Sequence, residues 1–227
     1  MVTPLLTPEN AMVFGALPIQ PEEIVRVLRE EINRNTASGC CRPTRKNPSQ
    51  NEDPRKHTRP WTEAVYRTLE RRLVAIKGRA LFTVSEEAKS EFLLDFVWLD
   101  EVNGKDRGAL MGMECEWARD RTDACEAVTS DFRKLLYFKA PLKLLVYECR
   151  PRDRDCIREM LRDCLKDFEQ HARGECYLFV EFYGNCPKSP TESWPQEAWE
   201  FRVEQNGVVP IVAFRSIRQG SEVILGA

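Results

Sequence analysis

Histidine is scarce in this chain: His57 and His171 are the only two in 227 residues. A Ser-His or Cys-His nucleophile system would have to use one of them. Neither is flanked by a nucleophile signal, so hydrolysis by that route is not expected. Cys-x-x-Cys is missing as well, although there are nine cysteines. Their number is odd, and Cys115, Cys149, Cys164 and Cys176 sit inside apolar runs. That pattern reads as buried free thiols in a reducing cytoplasm, not as a disulfide framework or a zinc site. Neither charge dominates: Lys+Arg 34 stand against Asp+Glu 36. This excludes a globally basic nucleic-acid coat but leaves room for a local basic groove. No apolar run approaches the roughly 20 residues that a spanning helix needs, so no membrane partner is expected. The first residues, MVTPLLTPENAMVF, have no basic start and no unbroken apolar stretch. A secretory signal is therefore not expected, and the chain reads as cytoplasmic.

What is present is enough for a folded core. Apolar residues make up 42% and charged residues 31%, a globular rather than a disordered balance. Residues 1–35 read as a helical extension, with a helix at 21–33 that opens on Pro21 and lines up Ile24, Val25, Leu28 and Ile32. Residues 36–59 read as a flexible linker, rich in Pro, Ser, Asn and charge. Arg42, Arg45, Lys46, Arg55, Lys56 and Arg59 make it basic, which suits either a solvated loop or an arm laid on phosphates. Residues 60–227 read as one α/β domain.

Within that domain the periodicity alternates between helix and strand. A helix over 61–77 puts Val65, Leu69, Leu73 and Ile76 on one face. Strands follow at 91–99 and 110–117, joined across Asn103-Gly104. A second helix spans 126–139 and ends before Pro141. LKLLVYEC (142–149) is apolar enough for a central buried strand. A helix over 153–170, a strand at 176–182 and a closing hairpin through Asn206-Gly207, with Pro210 on an edge strand, complete the pattern. The fold class expected is α/β, a mixed β-sheet flanked by helices.

Carboxylates in the middle of that sheet are the informative feature. Phe92, Leu94, Phe96 and Trp98 take one face of the first hairpin strand; Leu93, Asp95, Val97 and Leu99 take the other. Both faces are apolar, so Asp95 stands where an acid is costly. On the return strand Met113, Cys115 and Trp117 share one face, Glu114 and Glu116 the other. Pairing the apolar faces collects Asp95, Glu114 and Glu116 on one side. With a two-residue turn Asp95 falls opposite Gly112, and Glu114 is its diagonal neighbour, at most about 7–8 Å away between Cβ atoms. An odd loop or a bulge would move the acids apart. Crowded acids on a half-dry face need raised pKa values, Lys/Arg partners or a divalent cation, and oxygen ligands suit Mg²⁺ or Mn²⁺. Lys134, in DFRKLL, borders the stripe of the next helix, and Glu70 and Glu63 flank the helix over 61–77. The competing reading makes Asp95 the partner of an arginine or a cap on backbone groups, and Lys134, Glu63 and Glu70 plain surface residues.

A strand aspartate in LLDF, a hairpin, GMECEW on the next strand, a DFRKLL helix and an LKLLVYE strand resemble the PD-(D/E)XK nuclease superfamily, the fold of many restriction endonucleases, over residues 61–182. The resemblance implies a restriction-endonuclease-like αβββαβ core and a magnesium- or manganese-dependent phosphodiesterase site. It makes Asp95 and Glu114 metal ligands, with the Cys115 carbonyl beside them. Leu94 replaces the motif proline, and Glu116 stands where the family's lysine usually is; Lys134, from a neighbouring helix, fits the missing role. Glu70 is a further candidate ligand. The function expected is hydrolysis of DNA, with RNA the lesser substrate and the basic residues of 36–59 holding the nucleic acid. The alternative is a catalytically inactive fold that binds nucleic acid or protein. Enzymes of this superfamily often act as homodimers, although no heptad seam marks one here.

Overall fold

The computed structural model describes residues 16–17, 19–37, 55–82, 94–118, 122–183, 196–203, 214–218 and 221–225. The described residues form four α-helices and eight strands. They are α1 (Pro21–Ala37), α2 (Arg55–Val74), β1 (Arg79–Phe82), β2 (Phe96–Val102), β3 (Lys105–Trp117), α3 (Ala124–Tyr137), β4 (Leu142–Cys149), α4 (Arg154–Asp167), β5 (Cys176–Tyr183), β6 (Gln196–Arg202), β7 (Phe214–Arg218) and β8 (Ser221–Leu225). The strands form one mixed sheet in sequential order β1 to β8. The pairs β1·β2 and β2·β3 are antiparallel, β3·β4 and β4·β5 parallel, and the rest antiparallel. The two parallel steps are those bridged by α3 and α4, as a crossover connection requires. The fold is α/β, with helices on both faces of the sheet.

Two apolar layers hold it together. On one face Ile24, Leu28, Val65, Leu69 and Leu73 of α1 and α2 meet Phe96, Trp98, Met113, Trp117, Leu144 and Val180. On the other, Val128, Phe132, Leu135, Ile157, Leu161 and Leu165 of α3 and α4 meet Val97, Leu99, Leu145, Tyr147 and Phe179. Each such side chain stabilises by roughly 1.5–3 kcal/mol relative to exposure. β4 is buried at every position, Lys143 and Glu148 included, as its nearly unbroken apolar run implies. Polar tips in these layers are tied down: Trp98 Nε1 donates to the Lys77 carbonyl at 2.8 Å, and Trp117 Nε1 to Thr62 Oγ1 at 2.8 Å.

Several sequence expectations need correction. Helix α2 begins at Arg55, so the linker does not run to 59; Arg55, Lys56 and Arg59 stand on the first turns of a helix. Helix α4 stops at Asp167, not 170, and His171 lies beyond it. Strand β2 starts at Phe96, after a bend at 94–95. That bend breaks the alternation: Leu94 packs with the α3–α4 layer, not with Phe96 and Trp98. The short strand β1 and the β7–β8 hairpin were not foreseen. The 206–213 turn and Pro210 lie outside the described residues.

The hairpin register differs too, in an instructive way. Beyond the Asn103-Gly104 turn, where Asn103 has φ 55 and Gly104 φ 71, Val102 pairs with Lys105. Two irregularities follow, at Trp98/Leu99 and at Asp100/Glu101. One bulge would have turned β3 over; two restore the parity. Val97, not Asp95, therefore faces Gly112, and Phe96 faces Met113. The ladder ends at that pair, and Asp95 lies in the bend just before it, its Oδ2 accepting the Cys115 N–H.

Candidate functional site

Glu114 lies well inside β3, 1% exposed, with Leu145 of β4 beside it. Met113 and Cys115 turn to the α1–α2 layer, so the alternation of the strand sends Glu114 to the α3–α4 side. Helix α3 brings it a cation. Its Val128, Phe132, Leu135 and Leu136 stripe is buried, and this fixes Asp131 and Lys134 at the sheet, one turn apart. Lys134 Nζ lies 2.7 Å from Asp131 Oδ1 and 3.4 Å from Glu114 Oε2. The other carboxylate oxygen, Glu114 Oε1, is buried and has no hydrogen-bond partner among the described residues.

Asp95 completes the group from the end of β2. Its Oδ2 accepts the Cys115 backbone N–H at 2.8 Å. Tyr66, 1% exposed on α2, hydrogen-bonds the same carboxylate. The site is thus a junction of α2, the bend before β2, β3 and α3.

Its electrostatics are those of acids short of counter-charge. Burial, then the charge of Asp95, push the Glu114 carboxyl up to about 9, although Lys134 pulls it down. Burial raises Asp95 as well, against the Cys115 N–H, Lys134 and Tyr66, which favour its charge. Burial disfavours the Lys134 ammonium, but Asp131 and Glu114 outweigh it and hold its pKa above the usual lysine range. An uncompensated carboxylate oxygen in such a place is what a hard divalent cation satisfies. Glu114 Oε1 and the Asp95 carboxylate are the oxygens that would hold such an ion, and oxygen donors suit Mg²⁺ or Mn²⁺. Among the described residues no group of three or more His, Cys, Asp or Glu side chains is placed to hold an ion.

Of the residues singled out in the sequence, Asp95, Glu114, Cys115 and Lys134 come together here. The Cys115 thiol belongs to the opposite layer, so only its main chain faces this chemistry. Glu116 is two residues on, half-buried on the Glu114 side beside Tyr147. Glu70 lies 3.5 Å from Arg67 on α2, and Arg67 also reaches Glu63 at 3.7 Å. Arg42, Arg45 and Lys46 lie outside the described residues. Sequence reasoning missed Tyr66 and Asp131. Tyr66 was legible only as an aromatic beside the α2 stripe, with a hydroxyl that burial obliges to find a partner. Asp131 stands three residues before Lys134, the spacing of an intrahelical ion pair.

Two other buried charge networks are closed on themselves. Lys143 and Glu175, both 0% exposed in their side chains, pair at 2.9 Å, and Tyr177 Oη donates to Glu175 Oε2 at 2.8 Å. His171 Nε2 donates to the Leu165 carbonyl at 2.8 Å, and Nδ1 lies 3.0 Å from Tyr177 Oη. Glu181 and Glu197 are each shared by Arg154 and Arg158 at 2.8 to 2.9 Å. These charges are matched pairwise and offer no open coordination position. Among the described residues no helix is long and apolar enough to cross a membrane. No family model, no curated protein and no solved structure matches the chain.

Proposed function

We propose that the chain is a divalent-metal-dependent nuclease that hydrolyses phosphodiester bonds, with DNA the first substrate and RNA the second. The observation that carries the reading is the buried, unpartnered Glu114 Oε1 beside Asp95, with the Lys134 ammonium 3.4 Å from the other oxygen. The run α2–β1–β2–β3–α3–β4 supports it, because its order is the αβββαβ succession that the resemblance implies. Asp95 and Glu114 would hold Mg²⁺ or Mn²⁺, which would supply charge neutralisation at the scissile phosphate and lower the pKa of the attacking water. The chain's own residues do the rest. Tyr66 and the Cys115 N–H fix the Asp95 carboxylate. Asp131 holds Lys134, whose ammonium would donate a hydrogen bond to the reacting phosphate and stabilise its developing charge. Glu116 lines the approach, and Arg55, Lys56 and Arg59 join Arg42, Arg45 and Lys46 in binding the backbone.

A second reading is favoured by one contact: Lys134 already offsets part of the Glu114 charge. In it, the fold is a non-catalytic module for nucleic acid or protein. Labelled single- and double-stranded DNA and RNA, incubated with Mg²⁺ or Mn²⁺, separate the two. The nuclease reading expects metal-dependent cleavage that Asp95→Ala abolishes while its circular-dichroism spectrum stays native. Binding without cleavage, equal in wild type and Asp95→Ala, would establish the module.

A further inference from the structure

Helices α3 and α4 follow parallel strands and pack side by side on one face of the sheet. They are therefore parallel to each other, and their facing residues keep a constant offset. Thr129 Oγ1 of α3 lies 3.9 Å from Met160 Sδ of α4, 31 residues on. One turn earlier on each helix stand Cys125 and Cys156, with the same offset, near enough that the Cys156 sulfur acts on the Cys125 thiol. The rung is held from both sides. Thr129 Oγ1 donates to the Cys125 carbonyl at 2.6 Å, and Cys156 Sγ lies 4.0 Å from Met160 Sδ. Both cysteines stand in the first turn of their helix. Cys156 is exposed and Cys125 half-buried beneath it, whereas Cys115, Cys149 and Cys176 are buried thiols elsewhere in the sheet.

We infer that Cys125 and Cys156 are a redox-active dithiol that a low-molecular-weight disulfide, such as oxidised glutathione, converts to a disulfide joining the N-terminal turns of α3 and α4. The exposed Cys156, as thiolate, attacks one sulfur of the oxidant. A mixed disulfide forms and one glutathione thiolate leaves. Cys125 gives its proton to solvent base and attacks the Cys156 sulfur, and the second glutathione thiolate leaves and is protonated. Two protein thiols lose two electrons and two protons, and the oxidant becomes two thiols. The order follows from access. Burial, then the neighbouring Cys156 sulfur, raise the Cys125 thiol above the usual range, so it is the slower nucleophile and the natural resolving group. The inference does not depend on the reaction proposed above.

The test is peptide mapping of the full chain, under non-reducing conditions, after incubation with oxidised glutathione. The expected product is a cross-linked peptide that contains Cys125 and Cys156. In Cys125→Ser, Cys156 stops at the glutathione mixed disulfide; in Cys156→Ser, Cys125 remains a free thiol. Serine nearly matches cysteine in size, and both variants are checked by circular dichroism. The wild-type map decides the matter if either fails to fold. A wild-type Cys156 that ends as the mixed disulfide, or stays reduced, or pairs with a cysteine other than Cys125, overturns the inference.

Discussion

Replacing Glu114 with glutamine removes a charge that the folded chain holds only at a cost. With 1% exposure and Asp95 beside it, the Glu114 carboxyl is pushed up to about 9, from an ordinary value of 4.5. In the metal-free protein, the folded chain then keeps a proton that the unfolded chain releases above its ordinary value. The unfolded state binds fewer protons across that window, so stability falls as pH rises. It is complete below the ordinary value and is lost at about 1.4 kcal/mol per pH unit until the folded value is reached. Between roughly pH 5.5 and pH 7.5 the loss from this one group is about 3 kcal/mol. Glutamine has the same shape, no such loss, and an oxygen that still accepts from Lys134. Urea unfolding of both proteins in EDTA at those two pH values is the assay. Wild type is expected to lose about 3 kcal/mol more than Glu114→Gln on going to the higher pH. Parallel losses in the two proteins would refute the premise that this carboxyl is buried and uncompensated.

Three further outcomes follow from other contacts. Tyr66→Phe deletes the hydroxyl on Asp95; stability should fall by about 1 kcal/mol, and Mn²⁺ affinity by about tenfold in calorimetry. An unchanged Kd would show that Tyr66 does not orient Asp95. Gly112→Ala puts a Cβ 2.6 Å from Phe138 Cδ1 and 2.8 Å from Leu94 Cδ1. A cost of about 1–3 kcal/mol is expected, read as a lower thermal midpoint; an unaltered midpoint would contradict the close packing at the bend. Lys143→Met strands the Glu175 carboxylate at 0% exposure, with an expected cost of about 3–5 kcal/mol that Lys143→Met/Glu175→Gln largely recovers. A double variant no more stable than the single one would show that the loss is not electrostatic.

How far the site was legible depended on which physical signal each residue carries. LKLLVYEC could be placed to the residue because a nearly unbroken apolar run has one stable home, a strand covered on both faces. Asp95 and Glu114 were found because an acid in a two-sided apolar pattern is costly and demands a reason. Their pairing was not legible in detail, since two bulges in β3 leave no mark in the alternation beyond the bends that they produce. The face of Glu114 survived only because the bulges came in a pair. The start of α2 was hidden because Pro60 and the charges before it look like a linker, whereas the backbone is helical from Arg55. β1 has four residues, too few for a periodicity. Tyr66 and the thiol pair were invisible for a different reason: each depends on a contact between distant segments, and no local pattern encodes it.

The proposed function stands on a cation site formed by Asp95 and Glu114. Calorimetric titration of Mn²⁺ and Mg²⁺ tests it most directly, on wild type, Asp95→Ala and Glu114→Ala, each checked for native structure and repeated with an oligonucleotide present to supply phosphate oxygens. Saturable binding by wild type is expected, with its loss in both variants. A folded wild type that takes up neither ion at millimolar concentration, with or without the oligonucleotide, would contradict it.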